Sequence, residues 1–248
     1  MVFLVGFVIA LAVGLTGVGA GSITAPVLIL FFAASPAEAV GTALIFAAVI
    51  KLVVAPMYLI RQQVHRRVLT MLCIGGLPGV LLGVYLIGAL NVRHYERALF
   101  LILGVTIAAM ALYNLYRAAR KSKLAKRSER YGWLPLIGLG IGSEVGFSSA
   151  GAGALGSLAL LNLTSLTPAQ VVGTDMLFGL AVSLLGGGLN LTSGHYANAL
   201  LWKLIAGGIA GVLMGANLSA VLPARPLRVA LSVWLSFIGV QLAWRGVF

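Results

Sequence analysis

Two runs of small residues have the composition to hold an anion. The first is Gly14-Leu15-Thr16-Gly17-Val18-Gly19-Ala20-Gly21-Ser22, the second Gly146-Phe147-Ser148-Ser149-Ala150-Gly151-Ala152-Gly153. Each lies at the centre of a long apolar block. Glycines at that density weaken a continuous helix by ~1 kcal/mol each relative to alanine. Each block therefore reads as a half-helix, a break and a second half-helix. A half-helix that begins inside an apolar layer presents unpaired backbone N–H groups and the positive end of its dipole. That is a ready site for an oxyanion. Gly17, Gly19, Gly21, Gly151 and Gly153 would let the anion approach the backbone. Thr16, Ser22, Ser148 and Ser149 would add hydroxyl donors. The competing reading is that small residues only allow tight helix packing.

The charged residues inside apolar blocks are few. Of five acidic residues, Glu96 and Glu129 fall in loops and Glu38 at a helix start, where a carboxylate favours the dipole. Glu144 and Asp175 lie within blocks, and a carboxylate there is expensive enough to suggest a function. Desolvation would let either carry a proton; an N-cap or packing role for Asp175 is the alternative. Lys51 is the deepest cation, set to neutralise an anion, pair with an acid or snorkel outward. Thr42 and Thr174 hold matching positions near two helix starts, to line a cavity or bond back to their own helices. His65, His94 and His195 share no metal spacing, no nucleophile–base motif is present, and no cofactor is expected.

These residues must be positioned by an unusual chain. It has 248 residues, 60% apolar and 9% charged, with mean hydropathy +1.07. An ordinary soluble domain is about 25% charged. A soluble globule, a disordered chain and a fibrous repeat are excluded. Short alternating segments are absent, so a β-barrel is excluded too. An all-α polytopic membrane protein remains, with the lipid bilayer as its first partner. Of the seventeen basic residues, seven fall between positions 117 and 130. Such a cluster between apolar blocks marks a cytoplasmic loop rather than nucleic-acid binding. Contact with anionic headgroups is expected there. The single Cys73 allows no internal disulfide.

The chain is one unit written twice. Shifted by 132 positions it matches itself without gaps, with 32 of 116 pairs identical, where chance would give roughly ten. Gly14, Gly19, Ala20 and Gly21 fall on Gly146, Gly151, Ala152 and Gly153. Pro36-Ala37 and Val40-Gly41-Thr42 fall on Pro168-Ala169 and Val172-Gly173-Thr174. Gly75, Gly76, Gly79 and Gly83 fall on Gly207, Gly208, Gly211 and Gly215, spaced for packing of unbroken helices. The organisation is a repeat over 1–116, a basic linker over 117–132 and a second repeat over 133–248. Because the first segment recurs at 133–160, it is expected to be structural and not a cleaved leader.

Each repeat holds a broken first block and three blocks of crossing length: about 1–32, 37–60, 68–90 and 95–116, then 133–161, 168–192, 197–221 and 227–246. If the first block crosses, the repeats are parallel; if it re-enters, they are inverted. Arg61, Arg66 and Arg67 flank one loop, while its equivalent, 191–198, has no Lys or Arg. Opposite charge at equivalent loops predicts inverted topology with a cytoplasmic linker, Arg225 and Arg228 sharing its side. Arg93 and Arg97 then fall outside, against the rule.

A glycine-rich broken first helix, a second helix opening Pro-x-x-x-Val-Gly-Thr, Gly173-Thr174-Asp175, a basic central loop and the duplication together resemble the TauE/SafE, or sulfite exporter, family of membrane transporters. The likeness covers the whole chain. It implies secondary transport of a small anionic substrate across the cytoplasmic membrane: sulfite, a sulfonate such as sulfoacetate, or a related carboxylate. Alternating access with proton coupling through Asp175 or Glu144 is the expected mechanism. A passive anion channel is the alternative, and an embedded enzyme is disfavoured. The likeness and the glycine-lined helix faces also suggest a homodimer.

Overall fold

The computed structural model describes residues 1–16, 19–90, 96–119, 131–150, 153, 155–218 and 224–247. Every described element is helical. In order they are α1 (Val2–Thr16), α2 (Ala20–Phe32), α3 (Pro36–Ile60), α4 (Arg66–Leu90) and α5 (Glu96–Ala119), then α6 (Leu134–Ser148), α7 (Leu155–Leu163), α8 (Pro168–Thr192), α9 (Asn198–Leu218) and α10 (Ala224–Val247). A single 3-10 turn, Tyr131–Trp133, leads into α6. Gly17, Gly151, Ala152, Arg93, His94 and positions 120–130 of the linker lie outside the described residues, as do the side chains of Thr16, Arg225 and Arg228.

Among the described residues, four helices are long and apolar enough to cross a membrane: Pro36–Ile60, Arg66–Ala89, Ala169–Thr192 and Asn198–Leu218. The first apolar block of each half is interrupted. α1 stops at Thr16 and α2 starts at Ala20; α6 stops at Ser148 and α7 starts at Leu155. At the second break Ser149 takes φ 56° and Gly153 φ 103°. The latter is a backbone that glycine adopts without a Cβ penalty.

The starts of α3 and α8 are fixed alike. Ser35 and Glu38 form a reciprocal capping box, and so do Thr167 and Gln170. In each, the hydroxyl accepts the third amide, the Glu or Gln side chain reaches back, and proline follows the cap. The chain therefore leaves each half-helix through a short connection and enters a long helix at a defined angle.

Helix packing pairs the two halves rather than filling each alone. α4 lies mainly on α6, α1 on α9, α5 on α10 and α3 on α8. Glycines set the closest approaches. Gly75, Gly79 and Gly83 of α4 face Pro135, Leu139 and Ser143 of α6. Gly207, Gly211 and Gly215 of α9 face Phe3, Phe7 and Leu11 of α1. Residue numbers rise together in both pairs, so each pair is parallel. Within a bilayer such backbone proximity, not hydrophobic transfer, is what holds helices together. These glycine faces are thus filled within one chain, which removes them as an argument for a homodimer.

The other two pairs run antiparallel. Gly41 meets Asn190 and His195, Gly187 meets Ile45, and Gly173 meets Gln63. Numbers climb along α3 as they fall along α8. Gly104 meets Ala243 while Gly239 meets Ala108, so α5 and α10 are antiparallel too. Phe46 and Phe178, both fully buried, fill the space over Gly208 and Gly76 respectively. The core is this interleaved seam.

Candidate functional site

The two breaks touch. Ser149 Oγ donates to the carbonyl of Gly21 at 2.9 Å, deep in the protein. Ser149 can do so because its left-handed backbone turns it off the end of α6, where its amide still caps Val145. A Cβ on Gly21 would overlap the Ser149 carbonyl, so the approach depends on glycine there. The start of α2 is uncapped by any side chain: its N-cap is Gly19 and no acid lies in its first turn. Ser22 Oγ donates to the Gly19 carbonyl at 2.7 Å. Ser148 Oγ lies 2.8 Å from Glu144 Oε1 and accepts the Ala150 amide. Of the hydroxyls expected to face an anion, those of Ser22, Ser148 and Ser149 are thus engaged within the chain.

The start of α7 is different. Ser157 Oγ donates to Asp175 Oδ2 at 2.7 Å, and Gly156 packs directly on the same carboxylate. The side chain of Asp175 therefore stands at the N-terminal turn of α7, where a negative charge is favoured. Asp175 is 4% exposed, and its Oδ1 has no hydrogen-bond partner. Across the four residues between α7 and α8, this contact also makes them an antiparallel hairpin.

Lys51 is 4% exposed, at the middle of α3. Its ammonium donates to Ser183 Oγ on α8 at 3.4 Å. Lys51 and Asp175 each act on the other electrostatically. Lys51 is thus a buried ammonium bonded to one neutral hydroxyl, and Asp175 a buried carboxylate with one oxygen lacking a partner.

Thr42 and Thr174 are fully buried and do a different job. Thr42 Oγ1 accepts the Ala197 amide at 2.8 Å, and Thr174 Oγ1 accepts the His65 amide at 2.9 Å. Thr42 also donates to the Glu38 carbonyl at 2.6 Å. Each threonine holds the connection at the far end of the opposite helix. The sequence offered a cavity wall or a bond back to the parent helix for both, and Thr42 makes the latter with Glu38, while Ser157 and Ser183 were not singled out. Ser183 was within reach, because it is Lys51 carried forward by the repeat offset. Ser157 carried no such signal, since alanine stands at its equivalent, Ala25. Among the described residues no group of three His, Cys, Asp or Glu gathers to hold a metal.

Comparison with known proteins adds a second line of observation. The family described as Sulfite exporter TauE/SafE matches residues 2–242. The protein named "Probable membrane transporter protein YjnA" of Bacillus subtilis (strain 168) is 29% identical over 253 residues, covering 97% of this chain and 98% of that one. "Probable membrane transporter protein YunE" of the same organism is 25% identical over 272 residues, covering all of both chains. No solved structure matches.

Proposed function

The chain belongs to the sulfite exporter TauE/SafE family of membrane proteins, and from that membership we propose a secondary transporter for a small sulfur-containing or organic anion, with its site where the two breaks meet. The carrying observation is the Ser149–Gly21 contact between the two breaks, in a bundle that also buries two charges, Lys51 and Asp175. Sulfite, sulfonates and small carboxylates are the substrate class.

The site has three parts. The open start of α2, with Gly19, Gly21 and Ser22, supplies backbone amides and the positive end of a helix dipole. Gly153, Ser148 and Ser149 belong to the same lining, while Gly17, Gly151 and the side chain of Thr16 lie outside the described residues. Lys51 supplies a full positive charge. Carried back by the repeat offset, the Ser157–Asp175 register sets Lys51 level with the first break. Asp175 and Glu144 are the proton carriers. Because Asp175 already meets α7, the anion goes to the α2 side.

The repeats, 1–116 and 133–248, are inverted in the membrane, with linker 117–132 in the cytoplasm. Two observations support this. The equivalent helices α3 and α8 run antiparallel, and so do α5 and α10. α1 runs with α9, whose equivalent α4 runs with α6. A chain obeying all four pairings turns back at each break, leaving three crossings per repeat. Inverted repeats with half-helix ends at the midplane are the architecture of alternating access. The closed contact between the breaks favours a carrier over an open channel. The membrane is the cytoplasmic one.

The test is uptake or release of labelled sulfite, methanesulfonate, sulfoacetate and acetate by proteoliposomes under an imposed pH gradient. Saturable, gradient-dependent flux of one of them is the expected result. No flux of any would overturn the proposal.

A further inference from the structure

We propose that Lys51 and Asp175 form an internally balanced charge pair that limits the cargo to a monovalent anion moved together with one proton, so that each transport step is electroneutral. The inference rests on the carrier reading above and adds its charge stoichiometry.

Both side chains are 4% exposed. Each is bonded to a neutral hydroxyl, Lys51 to Ser183 and Asp175 to Ser157. Together they carry no net charge, which is the arrangement that an apolar layer tolerates. A monovalent anion placed at Lys51 leaves the region with one uncompensated negative charge. A proton on Asp175 restores neutrality. The carboxylate has a place for it: Oδ1 is buried and has no partner, while Oδ2 keeps its bond from Ser157. Protonation there keeps the Ser157 hydroxyl bond and works only against the Gly153 and Ser157 amides that also face the carboxylate.

The surrounding groups single out this acid. On the helices packed against α8, the ionisable side chains withdrawn from the surface are Lys51 and Tyr58 of α3, Cys73 of α4 and Glu144 of α6; α7 carries none. Glu144 is met by Ser148. Lys51 is the charge whose field reaches Asp175. In the loading step, one proton from water forms an O–H bond at Oδ1 while Lys51 keeps its three N–H bonds and faces the anion. In the unloading step that O–H bond breaks, and proton and anion leave on the same side. A divalent anion would leave one charge unbalanced and is disfavoured.

The test uses the full chain in proteoliposomes with methanesulfonate, which stays ionised so that the proton cannot ride on it. Accumulation should be unchanged by a potassium diffusion potential set with valinomycin, and an entrapped pH dye should record one proton per anion. An unbalanced monovalent anion would instead shift its accumulation about fifty-fold per 100 mV. Asp175→Asn should lose accumulation driven by a pH gradient. Its exchange of labelled for unlabelled anion should persist and stay voltage-insensitive, because Lys51 and the anion balance in the loaded form. Its net flux, which returns the empty form with Lys51 uncompensated, should become voltage-sensitive. Voltage-dependent accumulation in the unaltered protein, or flux without proton movement, overturns the charge pairing while leaving a transporter. Absence of all flux overturns the carrier reading itself. If Asp175→Asn does not fold, the dye and voltage measurements on the unaltered protein decide alone.

Discussion

Lys51 Nζ donates to Ser183 Oγ across 3.4 Å, and the two residues stand 132 positions apart, the offset at which the chain matches itself. Equivalent positions in two halves can touch only where the axis relating them passes. The antiparallel register of α3 and α8 places that crossing at the same pair: Gly41 meets His195, and its equivalent Gly173 meets Gln63, the equivalent of His195. The most buried cation thus sits at the centre of the seam, with a serine as its counterpart.

That position leads to a swap experiment. Lys51→Met should weaken anion half-saturation about 10- to 100-fold, the range for losing a charge-assisted contact. Lys51→Ser should do the same. The double variant Lys51→Ser with Ser183→Lys returns the charge to the axis from the other helix. It should recover a substantial part of the lost flux in proteoliposomes. Equal inactivity of the single and double variants would show that the charge is needed on α3 specifically.

The two threonine clasps should behave as a pair. Thr42→Val and Thr174→Val each remove the acceptor of a cross-chain amide, Ala197 in one case and His65 in the other. Each should cost about 1 kcal/mol, seen as matched falls in thermal midpoint in detergent. The double variant should be additive, because the clasps sit at opposite ends of the α3–α8 pair. A large effect from one and none from the other would contradict their equivalence.

Much of this was readable in the chain. The glycine runs located both breaks to within a few residues, since glycine density disfavours helix regardless of context. The capping residues Ser35 and Thr167 stood one position before Pro36 and Pro168, and the long helices began there. Side-chain partners were not readable. Thr42 and Thr174 bond to amides more than a hundred residues away, a fact set by helix register and not by local pattern. The same holds for Asp175, whose place at α7 follows from the hairpin. The glycine faces of α4 and α9 were legible as packing surfaces but not as to partner, because any helix backbone can fill them.

Gly19 and Gly21 separate substrate approach from architecture. Gly19 has φ −59° and ψ 130°, angles open to any residue. Gly19→Val should therefore insert and fold while its side chain blocks the start of α2, abolishing flux. Gly21→Ala places a Cβ on the Ser149 carbonyl and should lower thermal stability as well as flux, because backbone cannot yield as a side chain does. Full flux through Gly19→Val would mean that the α2 end is not the anion site.

Membrane sidedness follows from which ends the contacts collect. One end of the bundle holds His65 against Thr174, with Arg67 5.9 Å over the ring of Tyr131. It thereby gathers the basic loop 61–67 and the end of the linker. The other end holds Thr42 against Ala197, in a connection without lysine or arginine. The positive-inside bias assigns the first end to the cytoplasm. In a Cys73→Ala background, Arg66→Cys should be labelled by an impermeant maleimide only from the cytoplasmic side. Asn198→Cys should be labelled only from the other. Both positions are exposed, so labelling reports side and not burial. Labelling of both from one side would require α8 to end where it begins, which its pairing with α3 forbids, and would overturn the inverted arrangement.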